Sequence, residues 1–312
     1  MNWKFHFSSS VNPWDNLALE NVWMEETLEH PVFLGYFNAP SAIIGKNQNL
    51  FQELNLPYLY ENHLPIVRRT SGGGTVYHDL GCLNLSFITP HRTEWVGKWD
   101  FFFAPIIQFL KSKGFDAFTN PRNSLMVNGS KVGGSAQKVS RGRMISHCSL
   151  LFHTNLQALQ NALEVQDHME SKASPSVRAK VMNLESTGLF PENSEDIFHA
   201  IKSIYEMEWG TMAPIEGMPD TQQWSAKKIE LESEAWRFGR NPPFTCITKS
   251  GHKIHSEGHS MITSIEYGNQ RLEVNISPFH EHPWEKIPTE FIPVLKEVIQ
   301  KWRIRLDLEN SW

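Results

Sequence analysis

Three consecutive glycines, Gly72, Gly73 and Gly74, lie between two short apolar runs, Leu64-Pro65-Ile66-Val67 and Leu83 to Ile88. Both runs read as buried strands. Three residues without Cβ atoms can take positive φ and bring their N–H groups up to an anion. The whole segment is Arg68-Arg69-Thr70-Ser71-Gly72-Gly73-Gly74-Thr75-Val76-Tyr77-His78-Asp79-Leu80-Gly81. Each of its two arginines can fork onto a phosphate or a carboxylate. A glycine-rich hairpin turn with two solvated arginines is the plainer reading. The strand flanks, the paired arginines and the adjacent His78-Asp79 favour an anion site.

Spacing excludes two familiar phosphate loops. The segment holds neither Gly-x-x-x-x-Gly-Lys-Ser/Thr nor a Gly-x-Gly-x-x-Gly that opens a helix. It runs on into a Val76-Tyr77 strand, so no helix N-terminus lends a positive field. Cations from elsewhere must supply it.

Trp14 to Leu28 reads as an amphipathic helix after Asn12-Pro13, with Leu17, Ala18, Val22, Met24 and Leu28 on one side and Glu20, Glu25 and Glu26 opposite. Val32 to Phe37 and Ala42 to Ile44 read as a hairpin turned by Asn38-Ala39-Pro40. Further helices are expected over Gln52 to Asn62, Trp99 to Lys113 (ended by Gly114), Asn155 to Val165, and Ser194 to Tyr205 with Ser194 as N-cap. Asn123 to Val127, Lys131 to Val139 and Met144 to His153 form a meander whose first turn is Asn128-Gly129. Strands punctuated by helices, without regular βαβ alternation, predict an α+β fold: a mixed β-sheet with covering helices.

At 312 residues there is room for one large domain and a smaller one. A net charge of −5 gives no case for nucleic acid as a partner. No apolar run approaches membrane-spanning length, and Met1-Asn2-Trp3-Lys4-Phe5-His6 is no secretory segment, so a cytoplasmic location without membrane association is expected. Cys82, Cys148 and Cys246 make neither a disulfide framework nor a metal spacing. His252, His255, His259, His280 and His282 read as solvated loop side chains, since Gly251 and Gly258 disfavour the helix that would put His255 and His259 on one face. No bound metal is expected. From Met212 to Ala235 the composition turns to Pro, Gly and charge, as in a connector. Strands near Phe244 to Thr248 and Arg271 to Ile276, then a helix over Thr289 to Trp302, follow. Residues 1–211, 212–235 and 236–312 are thus read as a main domain, a connector and a small C-terminal region.

The glycine segment resembles the signature of the lipoate-protein ligase family, relatives of biotin protein ligases and class II aminoacyl-tRNA synthetases. The likeness extends to Asn16-Leu17-Ala18-Leu19-Glu20, Ile44-Gly45-Lys46-Asn47-Gln48-Asn49, Lys131-Val132-x-Gly134-Ser135-Ala136 and Ser176-Val177-Arg178. It implies a synthetase-like catalytic domain over 1–211 and a shortened accessory domain over 236–312. The implied reaction has two steps: lipoate and ATP give lipoyl-AMP, and the acyl group then passes to a lysine of an acceptor protein. The acceptors implied are lipoyl domains of 2-oxoacid dehydrogenase E2 subunits or the glycine-cleavage H protein, with ATP and Mg²⁺ as co-substrate. No covalent enzyme nucleophile is needed, only positioning, charge stabilisation and exclusion of water.

By the same resemblance Lys131 is the catalytic cation, its ammonium meeting the acyl carbonyl and the α-phosphate where charge develops. Lys138 reads as a surface charge. Arg68, Ser71, Gly72, Gly73, Gly74, Val76, Tyr77, His78, Asp79, Cys82, Asn123, Gly134, Ser135 and Ala136 would bind substrate or adenylate. His78 can be a base or a structural imidazole beside Asp79. Ser124 stands where the family usually has an aspartate that helps hold Mg²⁺, and Cys82 where it has an asparagine. These departures keep a lipoyl or octanoyl transferase, fed with a preformed acyl group, beside the ligase. An idle adenylate-binding module is a third reading. Cys148 can carry a thioester, although a small buried residue is the simpler role, and the His147-Cys148-Ser149-Leu150-Leu151 run resembles mitochondrial lipoyltransferases.

Overall fold

The structure, a computed structural model, describes residues 2–26, 29–164, 169–171, 173, 175–247, 251–276 and 291. Its centre is an eight-stranded mixed sheet in the order Ala213–Pro214, Lys4–Phe7, Val32–Phe37, Cys82–Pro90, Arg143–Leu151, Ser130–Ser140, Leu125–Val127, Ala117–Thr119. The first two pairings are parallel and the rest antiparallel. Helices cover both faces, so Val32–Phe37 is buried at every position and reads as an unbroken apolar run. Alternation then sorts the side chains. Phe33, Phe37, Leu85 and Phe87 pack with the helices Asp100–Ser112 and Ser194–Trp209, while Val32, Leu34, Tyr36 and Ile88 pack with the helix Pro13–Glu25. The fold is α+β, as the sequence predicts.

Four local expectations are corrected. Val32–Phe37 and Ser41–Ile44 are not a hairpin. The second strand lies in a separate three-stranded sheet, parallel to Ile66–Arg68 and antiparallel to Val76–His78. The chain crosses between sheets at buried Asn38, whose amide bonds Asn16 and His78. Glu20 is buried rather than solvated, because the helix Pro13–Glu25 is enclosed almost all round. Asn193, not Ser194, caps the helix Ser194–Trp209, accepting from the Glu195 and Asp196 N–H groups. His255 lies on a strand, 3.3 Å from Glu266, rather than in a loop.

Within 212–235, Thr221–Glu232 is a helix that packs on Pro13–Glu25 through Leu231, Trp224 and the Lys228–Asp15 pair. A five-stranded sheet follows, ordered Met169–Ser171, Phe244–Ile247, Lys253–Gly258, Met261–Tyr267, Gln270–Ile276. Its Phe244, Cys246, Ile254, Ile262 and Ile265 share one core with Ala42, Ile44, Leu50, Phe51 and Leu54. Leu28, His280, His282 and the expected helix Thr289 to Trp302 fall outside the described residues. Among those described, no helix is long and apolar enough to cross a membrane.

Candidate adenylate site

The three-stranded sheet explains the glycine loop. Ile66–Arg68 and Val76–His78 flank Ser41–Ile44 on opposite sides, so residues 69–75 must arch over the end of the middle strand. Arg69 fastens that arch from beneath. Its Nε donates to Ser71 Oγ at 3.0 Å, Nη1 to the Ile43 carbonyl at 3.2 Å, and Nη2 to the Gly72 and Gly74 carbonyls at 2.6 and 2.7 Å. In a trans peptide the N–H opposes the preceding carbonyl, so gripping Gly72 and Gly74 carbonyls turns the Gly73 and Thr75 N–H groups away from Arg69. Thr75 N–H accordingly meets Ser176 Oγ at 2.9 Å on the far side. The Gly72, Gly73 and Gly74 N–H groups donate to nothing among the described residues.

Arg68 is fully buried and lies off the cavity. Nε donates to the Arg237 carbonyl, and Nη1 to those of Gly45, Lys46 and Gln48. Desolvation lowers both guanidinium pKa values to about 10, which leaves them charged at neutral pH. The two arginines therefore organise backbone instead of forking onto a ligand.

A cavity of about 740 Å³ opens above the arch. Gly72, Gly73, Gly74, Val76, His78, Lys131, Gly134, Ser135 and Ala136 line it, and a neighbouring cavity of about 570 Å³ takes in Tyr77, Val76, Gly134 and Lys131 as well. Lys131 enters by the expected route. Asn128 and Gly129, both at positive φ, turn Leu125–Val127 into Ser130–Ser140. The Lys131 ammonium then folds back over Gly134, 3.3 Å from where a Cβ would stand. It is half-buried, desolvation lowers its pKa, and among the described residues it has neither an ion pair nor a hydrogen bond. An uncompensated, partly dehydrated cation faces the same cavity as the free N–H groups.

Asp79, Cys82 and Asn123 stand outside both cavities. Asp79 receives the Gly81 and Asn155 N–H groups at 3.0 and 2.8 Å, tying the loop to the helix Leu156–Leu163. Cys82 is buried within the sheet, where burial pushes its thiol up. Asn123 is a positive-φ turn residue whose carbonyl accepts Ser135 Oγ–H at 2.5 Å. His78 is buried, bonds Asn38 at 3.0 Å, and is pushed down to about 3 by desolvation and by Arg69 and His147, so it stays neutral. That is the structural imidazole, not a base.

Sequence reasoning missed a relay beside the arch. Ser71 Oγ lies 2.7 Å from His147 Nε2, and His147 Nδ1 lies 3.1 Å from Glu20 Oε2. Burial would raise Glu20, but His147, with hydrogen bonds from His147, Ser86 and Tyr36, brings its carboxyl below the usual range. Glu20 sat on what read as a solvated helix face, yet its partners Tyr36, Ser86 and His147 all stand on the central sheet, so that side of the helix packs on the sheet. Lys138 is likewise half-buried and donates to Asn21 and Thr70 at 3.0 and 3.1 Å. Arg122, Arg178 and Ser124 also line the larger cavity. Cys148 does too, but burial pushes its thiol well up, against a thiolate role. Among the described residues no aspartate or glutamate lines that cavity, and none form a metal-binding cluster of His, Cys, Asp or Glu.

The profile of the lipoyl protein ligase A/B catalytic domain matches residues 12–203. The lipoate-protein ligase LplJ of Bacillus subtilis is 36% identical over 241 residues, covering 75% of this chain and 72% of that protein. The mitochondrial lipoyl amidotransferase LIPT1 of Homo sapiens is 30% identical over 296 residues, with 89% and 77% covered. In three dimensions, a lipoate-protein ligase A bound with ATP superposes with a TM-score of 0.62 at 23% identity, covering 76% of this chain and 98% of that one. A bipartite lipoate protein ligase of Thermoplasma acidophilum, described with its E2 lipoyl domain, superposes with a TM-score of 0.61 at 22% identity over 76% and 95% of the two chains. Matched over well more than half its length, this chain belongs to the lipoyl protein ligase A/B catalytic domain family.

Proposed function

We propose that this chain is a lipoate-protein ligase that forms lipoyl-AMP from lipoate and ATP and passes the lipoyl group to a lysine of an acceptor domain. The observation that carries the reading is the unpaired Lys131 ammonium, shared by two adjoining cavities. In the first step a lipoate oxygen attacks the α-phosphorus and the bond to pyrophosphate breaks. Lys131 stands ready for the charge that grows on the α-phosphoryl oxygens, and the free glycine N–H groups add donors to it. In the second step the acceptor lysine amine attacks the acyl carbonyl and AMP leaves. Apolar walls at Leu17, Ile43 and Val76 suit the aliphatic tail, and Tyr77 with Leu156, Leu159 and Leu163 suits an adenine face. Arg122 and Arg178 supply charge for the leaving pyrophosphate.

Among the described residues the larger cavity has no carboxylate and the smaller has only Glu53, which Ser176 occupies, so Mg²⁺ would arrive on the ATP phosphates as part of the substrate. The Thermoplasma ligase described with its E2 lipoyl domain and the ligase described with ATP support these partner and co-substrate assignments. Glycine-cleavage H protein is the further acceptor proposed. Residues 1–211 would be the catalytic unit and 236–312 an accessory piece.

One assay decides the matter: lipoate, ATP-Mg and an apo lipoyl domain, followed by pyrophosphate release and acceptor mass. Lipoate-dependent pyrophosphate with a mass gain is the expected result. The absence of an acidic lining residue at Ser124 favours a second reading, transfer from preformed lipoyl-AMP, and mass gain from that compound alone would establish it.

A further inference from the structure

Glu53 is a buried carboxylate that the reaction above does not use. Its partners are both on Ser176: Oε1 accepts the Ser176 N–H at 2.8 Å, and Oε2 accepts the Ser176 hydroxyl. The same Ser176 Oγ accepts the Thr75 N–H at 2.9 Å and the Gln48 side-chain amide at 3.0 Å. One hydroxyl proton and two lone pairs are therefore all engaged. Gln48 is held in turn by the Thr75 hydroxyl at 2.7 Å. Gly74 completes the seat, since a Cβ there would stand 2.9 Å from Ser176 Oγ. The third glycine thus makes room for Ser176.

Four residues further on, the chain is fastened again. Lys131 N–H donates to the Lys180 carbonyl at 2.8 Å, and Met182 N–H to the Lys131 carbonyl at 3.0 Å. Residues 176–180 therefore form a strap pinned at one end to the backbone of Lys131 and at the other to the end of the glycine arch. Between the pins, Val177, Arg178 and Ala179 are exposed to solvent, make no hydrogen bond among the described residues, and line both cavities. The two pins differ in kind. The Lys131 pin is a pair of main-chain bonds that any sequence can form. The Ser176 pin depends on side chains, and its charge-assisted part is the pair of bonds to Glu53.

We propose that Glu53 is a positioning residue, the latch that holds this strap over the bound acyl-adenylate between the two steps of the reaction. This inference rests on the adenylate reading above. Opening the latch hands the carboxylate back to water, so release is reversible, and closing it excludes water from a hydrolysable mixed anhydride. Glu53→Gln keeps the shape and one acceptor but removes the charge. Ser176→Ala removes the hydroxyl at a half-buried position where folding is not at stake.

The test uses the full chain and two readouts. Amide hydrogen exchange at the Thr75 and Ser176 N–H groups, without ligand, is expected to quicken about tenfold in Glu53→Gln and in Ser176→Ala, with the Arg143–Leu151 strand unchanged. With lipoate and ATP-Mg but no acceptor, both variants are expected to form lipoyl-AMP within about threefold of the wild-type rate and to lose it to solution about tenfold faster. Unchanged exchange at the Thr75 and Ser176 N–H groups in both variants overturns the latch, as does unchanged retention of lipoyl-AMP. If the exchange responds as expected while the wild-type chain makes no lipoyl-AMP, the adenylate reading falls, and with it the role given to the latch.

Discussion

Arg69 and Lys131 both stand at the glycine arch, and burial lowers the pKa of both. They differ in what their protons do. Every Arg69 nitrogen donates to the fold, to Ser71 and to the Ile43, Gly72 and Gly74 carbonyls, whereas the Lys131 ammonium donates to nothing among the described residues. A cation whose donors are spent on backbone shapes a site but cannot also grip a ligand. A cation left partly dehydrated and unpaired is held at an energetic disadvantage that an anionic ligand relieves. Charge at a loop is therefore a poor guide to role until the partners are known.

The contrast is broken most directly at Lys131. Lys131→Ala is expected to lower adenylate formation by about 10²–10³-fold, the range for removing one preorganised charge partner. The thermal midpoint should barely move, because no protein partner is lost. Single-turnover pyrophosphate release with a melting curve checks both halves, and activity within tenfold of wild type would end the argument. Because desolvation lowers the Lys131 pKa, the cation is lost as pH rises through a value below the ordinary lysine figure of about 10.4, and the alkaline limb of the rate should begin correspondingly early.

Arg69 should show the opposite pattern. Arg69→Leu leaves the buried Ile43 carbonyl, the part-buried Gly72 and Gly74 carbonyls and Ser71 without their donor, at about 3 kcal/mol of stability from the loss of several charge-assisted bonds. Urea unfolding measures this. A variant as stable as wild type, with only its activity gone, would place Arg69 with Lys131 after all.

Glu20→Gln offers a gentler test of the same idea, at about 1–3 kcal/mol. Its folded pKa is depressed, so the carboxylate's contribution is complete above the ordinary glutamate value of about 4.3 and disappears as pH falls through the lower folded value. The stability gap between wild type and Glu20→Gln should stay constant near neutrality and close only below about pH 4.3, a profile that acid titration of urea midpoints can follow. A gap that does not close on acidification would show that the carboxylate's charge contributes nothing.

The readable features were local ones. The Asn128-Gly129 turn, the apolar run of Val32–Phe37 and the glycine loop each arise from a few adjacent residues, and the structure keeps them. What the sequence could not display was which surfaces meet. Val32–Phe37 and Ser41–Ile44 look like a hairpin because adjacency along the chain is the commonest basis for pairing, yet the strands serve different sheets. Glu20 looks solvated because an amphipathic helix has one wet side in the usual case, whereas its partners Tyr36, Ser86 and His147 reach it from three strands of the central sheet. Arg68 looks like a ligand clamp because the Gly45, Lys46, Gln48 and Arg237 carbonyls that occupy its Nε and Nη1 come from a loop and a short helix elsewhere in the chain. Lys131 was legible through its resemblance. Its lack of a partner was not.

The smallest expected effects separate two neighbouring glycines. A Cβ at Gly72 would meet nothing within 4 Å, whereas one at Gly74 would crowd Ser176 Oγ. Gly72→Ala should leave stability within about 0.5 kcal/mol of wild type, aided by the lower chain entropy of alanine when unfolded. Gly74→Ala should cost about 1 kcal/mol, by displacing Ser176 from Thr75 and Glu53 while the arch itself, held by Arg69 from the other side, stays in place. Chemical denaturation gives the stability difference, and exchange at the Thr75 and Ser176 N–H groups shows where it arises. Equal losses at both positions would mean that the arch itself, and not the strap seated on it, needs the missing side chains. The free N–H groups of the arch would then owe their exposure to backbone conformation rather than to Arg69.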